Sequence, residues 1–186
     1  MRRMIICLLL LVIAFCNTSF GKDGDYAVSK IAGDLLKNAD AVLRLEEKRF
    51  EIVSTKEAIE KQHYVITILN ENGDSWAVFS EYYDKLREVA NVDGVLYDAG
   101  GMQIKKTKNK DIQDLSGVDD NNLMDDNRVK YHNFYYKVYP YTVEYTVEIR
   151  YKNTLFFPSW MPQPASKLSV EIVGLESGII LFFDLD

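Results

Sequence analysis

Strict alternation of apolar and polar residues is clearest between Tyr141 and Tyr151, where the sequence reads YTVEYTVEIRY. Tyr, Val and Ile occupy every second position, and Thr, Glu and Arg occupy the positions between them. Successive side chains of a strand point to opposite faces, so this pattern predicts a strand with an apolar face toward the core and a polar face toward water. The aromatic rings of this segment are therefore predicted to belong to the core, not to a stacking platform for a ligand.

The same period of two recurs in three earlier stretches, which cover 41–53, 63–83 and 86–106. Asn72-Gly73 has the residue types of a tight hairpin turn, and it separates HYVITILN from SWAVFSEYY. Asp93-Gly94 and Gly100-Gly101 are further turn signals. Short strands separated by turns predict an all-β fold, an antiparallel β-sandwich.

One long polar segment, 107–130, interrupts the strand pattern. It is rich in Asp, Asn and Lys and has few β-formers, so it predicts an irregular surface excursion. A helical turn is predicted near DIQDL, residues 111–115. Near the other end of the chain, the apolar run Ile179–Phe183 is compatible with a buried closing strand and equally with an aberrant tail.

The N-terminus has the three parts of a secretory signal, with two arginines, an apolar run of eleven residues and a more polar stretch. Ser19 and Gly21 fit the small positions before a cleavage site, which predicts a signal peptide at 1–21. Lipidation of Cys16 is the alternative, although the bulky Phe15 precedes that cysteine. The run is too short for a spanning helix, which needs about 20 residues. The protein is therefore predicted to be exported to the periplasm or cell surface, with membrane attachment only through Cys16.

After this signal, residues 22–38 are predicted to form a short helical segment. Its apolar residues recur at spacings of three and four, and they are Val28, Ile31, Ala32, Leu35 and Leu36. The remainder, 39–186, is predicted to be the β-sandwich domain, with a last part that is aberrant or truncated in one of the two interpretations above.

Charge and cysteine content exclude several classes of function. The net charge is −6 and no basic stripe is present, which argues against nucleic acid as a partner. Both cysteines, Cys7 and Cys16, lie within the predicted signal, so a cysteine nucleophile is not expected in the exported domain. The partners that remain are a protein or a glycan of the envelope.

The two histidines, His63 and His132, both fall in predicted strands, and each is expected at the sheet surface. No G-x-S-x-G elbow and no H-E-x-x-H motif accompanies them. The sequence therefore predicts a protein that is not an enzyme and holds no cofactor. A hydrolase built on carboxylates alone is a further alternative, but no acid and base can be paired from sequence.

Two sets of residues are candidates for binding. Oxygen ligands suited to calcium cluster in 119–127, as Asp119, Asp120, Asp125 and Asp126. The EF-hand pattern fails there, because Met124 and Lys130 stand where Gly and Glu are needed. Aromatic residues at predicted loop ends could stack on a sugar or peptide. Tyr135, Phe157 and Trp160 lead this group, which also includes Tyr82, Tyr83 and Tyr97.

Two stretches carry a family resemblance, residues 63–106 and 135–151, which include ILNENG and YPYTVEYTVEIRY. Across Ala39–Val173 the chain resembles the domain of unknown function that precedes transglutaminase-like domains in large exported bacterial proteins. The resemblance implies a β-sandwich accessory domain of the cell envelope. The family's catalytic Cys, His and Asp belong to the downstream domain, so no catalytic residue carries over. The expectation is an accessory domain that stands alone or is truncated.

Overall fold

The computed structural model describes residues 25–116 and 127–154, together with the backbone of 181–183. Two short helical elements come first, a 3-10 turn at Val28–Lys30 and helix α1 at Gly33–Leu36. Further 3-10 helices lie at Glu71–Ala77 and Asn109–Asp111. The strands of the described residues are β1 Ala41–Ser54, β2 Glu57–Ile68, β3 Phe79–Tyr83, β4 Arg87–Tyr97, β5 Gln103–Lys106, β6 Gln113–Ser116, β7 Arg128–His132, β8 Tyr141–Tyr151 and β9 Leu181–Phe183.

The strands form two sheets. The larger has the order β5-β4-β8-β2-β1-β9, and the smaller has the order β3-β7-β6. All pairs are antiparallel except β1 with β9, where Phe50–Ile52 pairs in parallel with Leu181–Phe183. The smaller sheet packs on one face of the larger, which confirms the predicted all-β sandwich. The backbone of part of the predicted closing run joins the sheet, and Ile179 and Ile180 lie outside the described residues.

Strand β8 lies at the centre of the larger sheet and carries the core. Its alternate residues Tyr141, Val143, Tyr145, Val147 and Ile149 are all buried, as the alternation predicted. The Tyr145 ring stacks on Phe79 of the smaller sheet at 5.4 Å between ring centroids. Because both sheets place apolar side chains against this ring, Tyr145 is the main contact between the two layers.

The N-terminal segment covers the opposite face of the larger sheet near the start of β8. Ile31 and Ala39 bury Val42 of β1, with Val28, Leu35 and Leu36 packed around them. Four of the five residues of the predicted helical stripe therefore face the sheet, but Ala32 is exposed and the helix is only the single turn α1. The polar face of β8 is consequently not wet throughout, since Thr142 is buried and its hydroxyl lies 2.8 Å from that of Thr67.

Three turn and loop predictions were wrong. Asn72-Gly73 lies in the 3-10 helix Glu71–Ala77, and β3 pairs with β7 in the other sheet instead of returning along β2. Asp93-Gly94 lies inside β4. The polar excursion contains strand β6, and its helical turn, Asn109–Asp111, comes slightly before the predicted place. Gly100-Gly101 is a turn as predicted, with Gly101 at a φ of 76° and its amide bonded to the Asp98 carbonyl.

None of the described helices is long and apolar enough to cross a membrane. The predicted signal peptide, 1–21, and Cys16 lie outside the described residues. The division into 1–21, 22–38 and 39–186 therefore stays a prediction.

Candidate functional site

The solvent face of the smaller sheet presents a row of apolar and aromatic side chains. Phe79 of β3 is paired with His132 of β7, and both side chains are buried against the larger sheet. Because side chains alternate along a strand, the next pair, Ser80 and Tyr131, faces outward. By the same alternation, Tyr82, Val129 and Leu115 stand side by side on the outer face of β3, β7 and β6. Tyr82 is 62% exposed and Leu115 is 45% exposed. We call Tyr82, Leu115, Val129, Tyr131 and Tyr135 the aromatic strip.

Tyr135 is held outward at the end of this strip by its local backbone. Its φ is 53°, in the left-handed region that bulky residues seldom adopt. The Asn133 side-chain oxygen accepts a hydrogen bond from the Tyr135 amide at 2.7 Å, which fixes this turn. The ring is 67% exposed, and a side-chain hydrogen bond with Tyr131 raises the pKa of Tyr135. A tyrosine kept in an unfavourable backbone conformation and presented to solvent is a candidate for binding.

The inner face of the smaller sheet is polar at the end that carries Asp114. This carboxylate accepts hydrogen bonds from Lys130 at 2.9 Å, from Tyr83 at 2.8 Å and from Arg128 at 2.9 Å. These contacts, led by the bond from Lys130, lower the pKa of Asp114 to about 2. They tie β6 to β7 and β3, so Tyr83 holds the sheet together and is not available as a platform for a ligand.

A second polar cluster lies on the opposite side of the larger sheet and has Glu144 at its centre. One carboxylate oxygen accepts a hydrogen bond from Tyr26 at 3.2 Å and lies 2.7 Å from Nε2 of His63. The other accepts a hydrogen bond from Tyr97 at 2.5 Å. Arg44 donates to the Tyr26 carbonyl at 2.6 Å. The cluster therefore fastens the N-terminal segment to strands β2, β4 and β8.

The acid–base properties of this cluster follow from burial and charge. Burial alone would raise the pKa of Glu144, but hydrogen bonds from Tyr97 and His63 outweigh that effect and lower it. Burial and the neighbouring Glu144 charge raise the pKa of Tyr26 to about 12. Burial, followed by the hydrogen bond to Glu144, also raises the pKa of Tyr97. Glu144 is thus stabilised as the anion and both tyrosines as neutral donors.

We expect Glu144→Gln to lower the free energy of unfolding at pH 7 by about 1–3 kcal/mol, because charge-assisted hydrogen bonds are lost. A carboxylate whose pKa is lowered on folding stabilises the fold above its unfolded pKa of about 4.3. That contribution is lost as the pH falls through the folded pKa. The difference between wild type and variant should therefore shrink as the pH is lowered from about 6 to about 3, measured by urea unfolding.

Glu148→Gln is the matched control, because Glu148 lies on the same face of β8 and its ion pair with Arg150 is partly exposed. Its cost should stay below about 1 kcal/mol. A difference between wild type and Glu144→Gln that does not change with pH would contradict the role assigned to the Glu144 anion.

A third carboxylate, Glu60, is fully buried where β2 pairs with β8. It accepts hydrogen bonds from Tyr151 at 2.5 Å, from Gln62 at 2.8 Å and from Lys48 at 3.0 Å. Burial would raise the pKa of Glu60, but the Tyr151 bond and the other donors lower it. With three donors satisfied inside the protein, this group stabilises the fold and offers no free oxygen for chemistry.

The histidines differ from each other. His63 lies at the sheet surface as predicted, between Glu144 and Glu47. A carboxylate oxygen of Glu47 is 3.5 Å from Nδ1 of His63. The prediction for His132 was wrong, because its ring is buried and its Nδ1 lies 2.7 Å from the Tyr145 hydroxyl. Burial, followed by the charge of Lys105, lowers the pKa of His132. Its strand, β7, faces the core between the sheets, which the sequence around it did not indicate.

The other predicted site residues are divided between different places. Tyr82 and Tyr135 lie at opposite ends of the aromatic strip, whereas Tyr83 and Tyr97 belong to the Asp114 and Glu144 clusters. Phe157, Trp160 and the calcium candidates Asp119, Asp120, Asp125 and Asp126 lie outside the described residues. Within 25–116 and 127–154, no group of three or more His, Cys, Asp or Glu side chains is placed to hold a metal ion.

Sequence comparison places this geometry in a family. The sequence model of a family described as a domain of unknown function with a solved structure, DUF3857, matches residues 54–173. The chain belongs to the DUF3857 family. The resemblance inferred over Ala39–Val173 is thereby confirmed, and the match to the DUF3857 model begins at the last residue of β1. No curated protein matches the chain.

One solved structure shares the fold of this DUF3857 domain. It is described as the crystal structure of a "putative protease" from Parabacteroides distasonis and superposes with a TM-score of 0.53 at 9% sequence identity. The match covers 63% of this chain and 24% of that chain. The DUF3857 chain thus corresponds to a small part of a longer protein, and at this identity the likeness concerns the fold alone.

Proposed function

We propose that the protein is a non-catalytic, exported binding domain that serves as an accessory to transglutaminase-like or protease-like proteins of the cell envelope. The observation that carries this proposal is the aromatic strip. Tyr82, Leu115, Val129 and Tyr131 lie on the outer face of the smaller sheet, and Tyr135 follows the end of β7. Tyr82, Leu115 and Tyr135 are the most exposed of them. Tyrosine is enriched in the centres of protein interfaces, where it supplies apolar area together with a polar hydroxyl.

The accessory role is supported by the occurrence of this fold as one part of a longer protein. In the structural neighbour the matched part is 24% of a longer chain that is described as a putative protease. A domain of this kind can position a neighbouring domain or chain without taking part in its chemistry. The occupant proposed for the aromatic strip is therefore a protease-like or transglutaminase-like protein, and export is supported by the signal-like N-terminus.

The non-catalytic part of the proposal is supported by how the acid–base groups are used. His63 has a carboxylate at each ring nitrogen, 2.7 Å and 3.5 Å away. The Glu144 oxygens already accept bonds from Tyr26 and Tyr97. A general base must have a nitrogen or oxygen free to take a substrate proton, and this pair is committed to the fold.

Site-specific cross-linking tests this function. A photo-reactive phenylalanine analogue at Tyr82 or Tyr135, in the full chain expressed in its own host, should cross-link to a protein with a protease-like or transglutaminase-like sequence. The same analogue at the exposed Val53 is the control, because that residue lies on β1, away from the smaller sheet. Mass spectrometry of the adducts identifies the partner. Equal adducts at all three positions, or none at Tyr82 and Tyr135, would overturn the proposal.

A glycan is the alternative occupant, and the exposure of Tyr82 and Tyr135 is the observation that favours it. A sugar ring stacks on the face of an exposed aromatic side chain. Screening the protein on immobilised envelope glycans, beside the variants Tyr135→Ala and Tyr82→Ala, separates the two occupants. If the wild type binds a glycan and both variants lose that binding, the strip is a carbohydrate site and the accessory role is wrong.

A further inference from the structure

Strand β5 forms one edge of the larger sheet. Among the described residues it pairs with β4 alone, and all four of its residues are exposed. The Thr107 amide donates to the Gly94 carbonyl at 2.8 Å, so at Thr107 the backbone turns toward β4. Neighbouring residues of an extended chain direct their amides to opposite sides. The N–H and C=O of Lys106 therefore point away from the sheet, toward the space that a further strand would occupy.

Four lysines lie within six residues here, Lys105 and Lys106 in β5 and Lys108 and Lys110 in the segment that follows it. The protein as a whole carries a net charge of −6, so the edge has the opposite sign to its average. Within the part of the chain that the structure describes, Lys106 forms one long, exposed ion pair, with Asp93 at 3.7 Å. The Lys105 ammonium lies 5.7 Å from the centre of the Phe134 ring. All four lysines are exposed, so a partner can reach their charge.

Lysines at a sheet edge also have a protective role, since they repel a second copy of the same edge. An acidic strand reverses that repulsion into attraction, because its carboxylates neutralise the lysines it approaches. The exposed Met102 and Ile104 beside the lysines supply apolar contacts for such a strand. Addition of a strand to an edge obtains affinity from main-chain hydrogen bonds and specificity from side chains at alternate positions.

We propose that the β5 edge is a docking site for an extended, acid-rich segment of a partner protein, which adds to the larger sheet as a further strand. The charge of the edge selects the occupant, and the outward N–H and C=O of Lys106 fix its register. This site lies on a different sheet from the aromatic strip, and it stands whether or not the strip binds a protease-like protein.

Fluorescence anisotropy with a labelled peptide of about eight alternating Glu and Val residues tests the edge, since about that length pairs along a whole strand. Binding to the full chain should weaken as salt rises from about 50 mM to about 200 mM. The triple variant K105E/K108E/K110E should weaken it by roughly tenfold or more, because attraction becomes repulsion. The matched control K37E/K56E/K85E changes the net charge equally away from the edge and should leave the affinity within about twofold.

Two further variants separate strand addition from simple ion attraction. Lys106→Pro removes the outward N–H, a substitution that edge strands tolerate, whereas Lys106→Ala removes the charge alone. Strand addition predicts that proline weakens binding by several-fold more than alanine. Circular dichroism checks that each variant folds.

Three results would overturn the proposal: equal effects of Pro and Ala at position 106, equal binding of an acidic peptide interrupted by prolines, or equal binding of an anionic polysaccharide. Tyr82→Ala should leave peptide binding unchanged, so failure here is distinguishable from failure of the strip.

Discussion

Tyr145→Ala is expected to lower the free energy of unfolding by about 3–5 kcal/mol, the usual cost of removing a large buried ring. The ring is fully buried and contacts Tyr64 of the larger sheet as well as Phe79 and Phe134 of the smaller layer. Its removal leaves a cavity between the two sheets that the rigid strands cannot close. Urea unfolding followed by circular dichroism at pH 7 measures the loss.

Tyr145→Phe distinguishes the contribution of the ring to stability from that of its hydroxyl group. It keeps the packing but leaves the buried His132 Nδ1 without the partner at 2.7 Å, so a cost of about 1–3 kcal/mol is expected. Thr146→Ala, on the exposed face of the same strand, should change stability by less than about 0.5 kcal/mol. If Tyr145→Ala cost no more than Thr146→Ala, the ring would not be the contact between the layers.

Gly94→Ala should destabilise the protein by about 1–3 kcal/mol, the range for overpacking a filled core. A Cβ at this position would lie 2.7 Å from the Tyr145 ring and 2.8 Å from the Thr107 methyl group. The ring cannot move, because it is enclosed by both sheets, so the strand must shift. Thermal and urea unfolding of the variant measure the effect.

Gly33→Ala is the control with the opposite sign. An added Cβ meets nothing within 4 Å there, and Gly33 lies in helix α1. Alanine is a better helix former than glycine by about 1 kcal/mol, so this variant should be as stable as wild type or more stable. Equal effects of alanine at Gly33 and Gly94 would show that the close approach of β4 to Tyr145 has no energetic consequence.

The two proposed surfaces depend on different physical signals. The aromatic strip is recognised by apolar area that faces water, and the β5 edge by exposed positive charge beside backbone groups that point outward. Their tests therefore respond to different variants, Tyr82→Ala for the strip and K105E/K108E/K110E for the edge. If both surfaces bind as proposed, one domain would join two partners, one on each of its two sheets.

The sequence by itself determined the central strand β8 and which of its faces is buried. In β8 the alternation of Tyr, Val and Ile with Thr, Glu and Arg predicted both the strand and its buried side. This succeeded because the orientation of successive side chains is a property of the extended backbone alone. The same alternation identified β1, the second half of β2 and most of β4. The apolar stripe of the N-terminal segment followed from a different period, the helical spacing of three and four.

Only the tertiary structure decided which strands are neighbours. Gly94 has the signature of a turn, yet it lies within β4 because the Tyr145 ring needs the space of a missing side chain. His63 and Tyr97 lie 81 and 47 positions away from Glu144 along the chain, and only the order β4-β8-β2 brings the three together. Contacts of this kind depend on how distant segments close against one another, which no local period encodes.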